Sequence, residues 1–445
     1  MSHFQPFMPT PAMAPSRAGE IAASFDLRAL PPDFYANPYP VYDVLREHEP
    51  VKLMPDGSYF LTRYADVVAV YRDAQTFSSD KKIEFGAKYN HPPFGEAGED
   101  SALFTHHTTS LVFNDPPLHS RVRKLIMGAL SRRAIDELEP GLASLVDGLL
   151  DRIEANGGGD LIEDFASAIP VEIIGNLLGV PHADRSPLRA WSLAILGALE
   201  PKLSAEQEAL GNHSVTEFTA YLKSLVAHRR QHPGDPQHDV LTRLIQGEGD
   251  SQLSESELLQ NCVFILNAGH ETTTNLIGNA LVALQEWPDA KRYLLSKQKL
   301  YTLAAWTSRP DLTLAIDEFL RFESSNQLSN RRATRACIVG GVHLPEGALI
   351  TLCIAAANRD PAQFENPNVL DLTRGDERTG AAPNRHLAFG FGIHQCAGLS
   401  LARMEGRIAI GRFLQRFPNY RLTATPTRGG RARFRGFLNA PFVTG

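Results

Sequence analysis

Apolar positions repeat at strand spacing near the start of the chain, at helix spacing through its middle, and at strand spacing again in its last third. Val51-Lys-Leu-Met, the turn signal Pro55-Asp-Gly57 and Tyr59-Phe-Leu-Thr62 predict a β-hairpin. Residues 64–76 then turn helical. Residues 84–113, rich in Gly, His, Pro and Thr, have no clear period and read as one long loop, a length that usually marks function or mobility. From Pro116 to Leu284 the spacing is mostly helical, broken by turns at Gly157-Gly-Gly159 and His232-Pro-Gly-Asp-Pro236.

The sharpest helix begins at Ser254, where Ser254 and Glu257 form a capping box. Leu258, Val263, Ile265, Leu266, Ile277, Leu281 and Leu284 carry its apolar positions. Taken to Trp287 it spans about 50 Å at 1.5 Å per residue, enough to cross a domain, so it is expected to be buried. Short strands follow at Cys337-Ile-Val339, Val342-His-Leu344 and Ile350-Thr-Leu-Cys-Ile354, then helical spacing from Gly398 to Phe413.

Composition narrows the class. Hydrophobic residues make up 43% and charged residues 21%, with mean hydropathy −0.20, which excludes wholesale disorder and collagen-like or low-complexity chains. Lys plus Arg is 44 against 50 for Asp plus Glu, giving −6 and a pI near 6.2; this balance argues against a whole-surface nucleic-acid footprint and leaves room only for a local basic patch. Four cysteines, Cys262, Cys337, Cys353 and Cys396, contain no CxxC pair, so a zinc ribbon or dithiol redox motif is excluded. The first twenty residues hold four prolines and no signal-peptide pattern, and no apolar run approaches the ~20 residues of a membrane span. These features lead us to expect a soluble cytoplasmic protein with a loose N-terminal arm. Length alone suggests about three domains, yet the chain shows neither a linker nor an internal repeat.

Two segments break local rules. Phe389-Gly-Phe-Gly-Ile-His-Gln-Cys-Ala-Gly398 holds three glycines that permit tight turns and close approach to a flat ligand. It presents one cysteine among backbone N–H groups able to stabilise a thiolate, just before a helix whose N-terminus favours that charge. Ala268-Gly-His-Glu-Thr-Thr273 places a glycine and poor helix formers in the middle of the long helix, where a broken rule points to function. An isolated cysteine of this kind would ordinarily be an inert packing residue.

The first segment resembles the cysteine-ligand loop of the cytochrome P450 family, F-G-x-G-x-H-x-C-x-G, at every fixed position. Such a match arises by chance in on the order of 1 in 100,000 chains of this length. By that resemblance Cys396 is the axial thiolate of a haem b iron, His394 contacts a haem propionate, and Phe389 and Gly398 belong to the same site. Ala268 to Thr273 resembles A-G-x-[D/E]-T-[T/S]. The resemblance makes it the oxygen-binding groove, with Ala268 and Gly269 beside the cofactor and Glu271 and Thr272 as the acid–alcohol pair that guides protons. Helical spacing sets Phe264, Asn267, Ala268 and Glu271 on one face, expected to look across the haem.

Glu318 and Arg321, weak as a bare ExxR pair, fall in order between these motifs; with Arg374 they match the family's buried structural triad. Asp115-Pro-Pro-Leu-His-Ser-Arg-Val-Arg123 resembles D-P-P-x-H-x-x-x-R, which makes His119 and Arg123 propionate partners. Arg331 matches the family's R-x-A, with Arg332 in competition because Ala336 stands where an acidic residue is usual. The matches run from about residue 30 to 440, and one departure is a long stretch at 293–313, read as a surface excursion.

The resemblance implies a mainly α fold with smaller β sheets (α+β): a helical lobe and a strand-rich lobe around a buried haem. Residues 1–22 would be a flexible arm and 23–445 one catalytic domain. It also implies a monomeric monooxygenase of the soluble bacterial type, inserting one atom of O2 into a C–H bond of an apolar small molecule such as a fatty acid, terpenoid or polyketide. The stretch after Cys396 is too short for a flavin or iron–sulfur domain, so electrons are expected from a ferredoxin and its NAD(P)H-dependent reductase. Lys124, Arg132 and Arg133 are candidates to face it. Phe264, Asn267, Ala268 and Phe434 are expected in the substrate pocket, with Leu103, Phe104, Leu111, Val112, Trp191 and Ile195 as further walls and Arg433 as a carboxylate partner if it points inward. A peroxide-driven peroxygenase, a non-catalytic haem protein and a cysteine hydrolase are the alternatives.

Overall fold

The computed structural model describes residues 15–89, 101–236, 239–247, 252–299, 302, 306–379 and 381–445. The Ser254–Glu257 capping box forms as expected: Glu257 N donates to Ser254 Oγ at 3.2 Å and Ser254 N to Glu257 Oε2 at 2.8 Å. The helix it starts, Glu255–Glu286, is the longest described and is buried over most of its length. Arg121 Nη2 also reaches Glu257 Oε1 at 2.5 Å, which ties the start of this helix to Leu118–Ala129, the helix carrying His119 and Arg123. Around it pack the helices Ala168–Leu177, Leu188–Gly197, Ala205–Gln231, Pro310–Phe322 and Leu399–Arg416, sharing one apolar core.

The strand-rich lobe is a five-stranded sheet ordered Val51–Leu53, Tyr59–Leu61, Leu349–Cys353, Leu328–Ala333 and Phe77–Ser78. The expected hairpin pairs Val51 with Leu61, and Tyr59–Leu61 runs parallel to Leu349–Cys353. Among the described residues no helix is long and apolar enough to cross a membrane. The chain is thus mainly α with smaller sheets, as expected.

Four local expectations are corrected. Residues 15–24, placed partly in a loose arm, form a helix whose Ala18 and Ala22 are buried with Phe25, Phe34 and Phe60; the arm's first fourteen residues lie outside the described set. The 84–113 stretch contains two short helices, Lys82–Lys88 and Ala102–Thr109, with 90–100 outside the described residues. Gly157-Gly-Gly159, expected as a turn, lies mostly in the strand Gly158–Asp160, which pairs with Pro441–Val443. Within 293–313, of which 300, 301 and 303–305 lie outside the described residues, Trp306 is fully buried, its Nε1 3.3 Å from where a Cβ on Gly411 would stand.

Candidate active site

Backbone geometry builds the cysteine loop. Gly390 and Gly392 adopt φ of 66° and 73°, a region that side chains rarely enter, and a Cβ on Gly392 would lie 2.5 Å from Tyr71 O. The turn lets Cys396 N donate to Phe389 O at 2.8 Å. Arg403 covers the Phe389 ring with its guanidinium carbon 4.9 Å from the centroid. Gly398 caps the helix Leu399–Arg416, and a Cβ there would meet nothing within 4 Å; this glycine borders open space. Burial pushes the Cys396 thiol up, while the Gly398 backbone and the cations Arg123 and Arg403 pull it down.

Arg123 therefore acts on the sulfur, and its helix also carries His119 to His394. Their ring centroids are 4.2 Å apart at 52°. Among the described residues, neither ring nitrogen of His119 nor Nε2 of His394 makes a well-formed hydrogen bond, although the Ile393 backbone approaches His119. Burial, then Arg331, His119 and Arg123, push His394 down to about 2. Burial and then Arg123 lower His119 as well. Both rings are thus neutral at pH 7.

Arg331, held in the strand Leu328–Ala333, is the cation that reaches both histidines, which favours it over Arg332. Asp115 is the carboxylate acting on Arg331, and it is already engaged by Ser78 Oγ at 2.5 Å and Ser79 N at 2.8 Å. Two arginines and two histidines with orphaned ring nitrogens thus meet where the chain offers one occupied carboxylate. Buried donors demand acceptors, so the set fits a ligand carrying two carboxylates beside a thiolate, the chemistry of haem.

On the long helix, Phe264, Ile265, Ala268, Gly269 and Thr272 form an open stripe among buried neighbours. Thr272 Oγ1 donates to Ala268 O at 2.7 Å, and the helix runs through without a break. Asn267 and Glu271 do not share this face, a correction to the expected grouping. At about 100° per residue they sit roughly 90–130° from the middle of the stripe. Asn267 Nδ2 lies 3.4 Å from His106 Nε2, and Glu271 is ion-paired to Arg431. Burial pushes Glu271 up to about 7, with Arg431 opposing. Gly269 lies against Ile174, whose Cδ1 is 2.6 Å from where a Cβ would stand, so it sets the approach of two helices.

Phe434 is buried and lines, with Arg189, His270, Glu271 and Arg431, a small pocket on the Glu271 side of the long helix. Two expected pocket walls are instead packing residues. Leu103 fills the space over Gly211, and Trp191 stacks on Phe218 at 5.0 Å. Arg132 and Arg133 are exposed but paired with Asp136 and Glu137 on their own helix, which weakens them as a cationic docking site.

The Glu318 cluster is buried, against the surface reading of a bare ExxR. Arg321 donates to both carboxylate oxygens at 2.7 and 2.8 Å, Arg374 Nε to Oε2 at 3.1 Å. Asn384 Nδ2 and Asp371 N complete the shell at 3.2 and 2.9 Å. Arg321 also binds the carbonyls of Asn358, Pro367 and Val369. Sequence reasoning missed Arg431 and Asn384, which carry no motif of their own.

A family profile described as Cytochrome P450 matches residues 196–427. The biotin biosynthesis cytochrome P450 of Bacillus subtilis is 32% identical over 394 residues, covering 88% of this chain and 91% of that protein. The cytochrome P450 monooxygenase PikC of Streptomyces venezuelae is 34% identical over 411 residues, covering 90% and 89%. Among solved structures, P450BioI in complex with hexadec-9Z-enoic acid ligated acyl carrier protein superposes with a TM-score of 0.80 at 31% identity, covering 92% of this chain and 99% of that one. CYP109E1 from Bacillus megaterium with testosterone gives 0.80 at 26% identity, covering 94% and 100%.

Proposed function

The chain belongs to the cytochrome P450 family of haem b monooxygenases, and from that premise we propose that Cys396 is its haem ligand and that it hydroxylates an apolar small molecule. When bound, haem supplies the activation of dioxygen that places one oxygen atom in a C–H bond and releases the other as water. Arg123, Arg331, His119 and His394 receive its two carboxylates. Cys396 would hold the haem iron through its sulfur, with the Gly398 backbone, Arg123 and Arg403 favouring the thiolate form.

Glu271 holds and exchanges the proton, and Thr272, whose O–H is hydrogen-bonded to Ala268 O, presents its oxygen on the open stripe as an acceptor. Phe264, Ile265 and Ala268 present apolar surface on that stripe and exclude water there. Glu318, Arg321 and Arg374 brace the core structurally. The set lies within one catalytic domain, and electrons come from a separate ferredoxin and reductase. The observation that carries the reading is the pair of neutral histidines with orphaned nitrogens between Arg123 and Arg331.

The test is turnover with ferredoxin, its reductase and isotopically labelled O2. Label in the product and loss of coupled turnover in Thr272→Ala support the reading. Unlabelled product driven by peroxide, with Thr272→Ala fully active, would replace it by a peroxygenase.

A further inference from the structure

Arg433 turns inward and is fixed from three sides. Its Nε donates to Leu199 O at 3.1 Å, Nη1 to Leu328 O at 3.0 Å, and Nη2 to the Asn330 side chain. Lys88 reaches the same turn from the helix Lys82–Lys88, its Nζ donating to Glu200 O at 2.7 Å. Two cations thus sit on consecutive carbonyls, 199 and 200. The Glu200 carboxylate does not point to either: it accepts from the backbone N–H groups of Ala432 and Arg433, at 2.9 and 3.2 Å. Glu84 is taken by Lys81 at 2.6 Å.

The charges gathered here are Lys81, Lys88 and Arg433 on one side and Glu84, Glu200 and, acting on Tyr89, Glu208 on the other. Arg28, the next cation out, is paired with Asp56. Burial first and then Arg433 push Lys88 down to about 8, with Glu84 and Glu200 opposing. Donors remain: a guanidinium has five N–H groups and an ammonium three, more than these contacts use. Beside them Tyr89 OH and His107 Nδ1 are 2.8 Å apart, and His107 Nε2 is buried without a partner. Phe85, Tyr89 and Phe113 ring that histidine.

We infer that Lys88 and Arg433 form the seat for a carboxylate on the substrate, so that this enzyme oxidises an apolar acid presented as the free anion. The inference rests on the proposed haem site, where Arg123 and Arg331 answer the two haem carboxylates and leave Lys88 and Arg433 unassigned. A rigid arginine with donors beyond its three protein contacts is suited to a planar carboxylate, and the part-exposed Lys88 beside it can add a second charge-assisted bond.

The test is binding of matched pairs, decanoic, hexadecanoic and abietic acids against their methyl esters and N-acetylcysteamine thioesters. It is followed on the holoenzyme by the Soret shift and by equilibrium dialysis. For at least one skeleton the acid binds tenfold or more tighter than its ester. Lys88→Gln and Arg433→Gln each remove that preference while ester affinity stays within twofold; Lys88→Gln, on a part-exposed helix end, serves alone if Arg433→Gln does not fold. Equal binding of acid and ester, a preference for the thioester, or no acid binding at all overturns the inference. Failure of the haem reading shows separately, as loss of the thiolate signature in the reduced carbon monoxide spectrum.

Discussion

Arg431 Nη1 lies 2.7 and 2.8 Å from the two carboxylate oxygens of Glu271, and its Nη2 donates to Leu193 O at 3.0 Å. This clamp holds the acid off the open stripe where Thr272 stands. It also couples the protonation of Glu271 to a cation from the C-terminal segment.

The pH dependence of turnover follows from that pair. Glu271 is raised from 4.5 to about 7, so it is protonated below pH 7 and loses the proton as pH rises through 7. As a proton donor it gives a rate that falls through that region. Glu271→Gln is expected to lower kcat ~100-fold and to abolish this limb. Arg431→Gln removes a cation that favours the carboxylate, so its limb moves to higher pH. The profile of kcat between pH 5.5 and 9 checks both; an unchanged limb in Glu271→Gln assigns it elsewhere.

Glu405 imposes a second pH dependence, on stability. It is buried in the helix Leu399–Arg416, its Oε2 lacks a partner, and burial raises it from 4.5 to about 8. The native state then binds a proton that the unfolded chain releases between those values, so stability is greatest below pH 4.5 on this account and falls as pH rises through 8. Glu405→Gln removes the slope and gains ~4 kcal/mol at pH 8.5 relative to pH 5. Denaturant unfolding at the two pH values measures it; parallel losses in both proteins contradict it.

The Glu318 cluster predicts a large structural loss. Arg321 and Glu318 are both wholly inaccessible, and removing one partner strands a buried charge at a cost of about 3–5 kcal/mol. Glu318→Ala should give little soluble holoprotein and a much lower Tm, and Arg374→Ala a smaller loss because that side chain is less enclosed. Equal Tm values for wild type and Glu318→Ala would show the cluster to be dispensable.

Much of the fold was legible where local chemistry dictates structure. The Ser254–Glu257 capping box, the Pro55–Gly57 hairpin turn and the Gly390–Gly392 loop each formed as read, because caps and positive φ are set by a few adjacent residues. Gly157-Gly-Gly159 reads as a turn because the strand identity of Gly158–Asp160 comes from Pro441–Val443, far away in the chain. The helices Lys82–Lys88 and Ala102–Thr109 hide in a stretch with no clean period, and tertiary packing of Phe85 and Leu103 decides them. At the active site, grouping residues at i, i+3, i+4 and i+7 put Glu271 on the wrong face, since the open stripe advances in steps of four through Phe264, Ala268 and Thr272. Arg431 could not be found from spacing at all; its partner lies on another element.

The central claim is thiolate ligation of haem by Cys396, and the absorbance spectrum of the reduced protein under carbon monoxide tests it most directly. The account predicts a strongly red-shifted Soret band in the wild-type protein and its loss in Cys396→Ser. A wild-type spectrum without that band, or one that Cys396→Ser leaves unchanged, contradicts it.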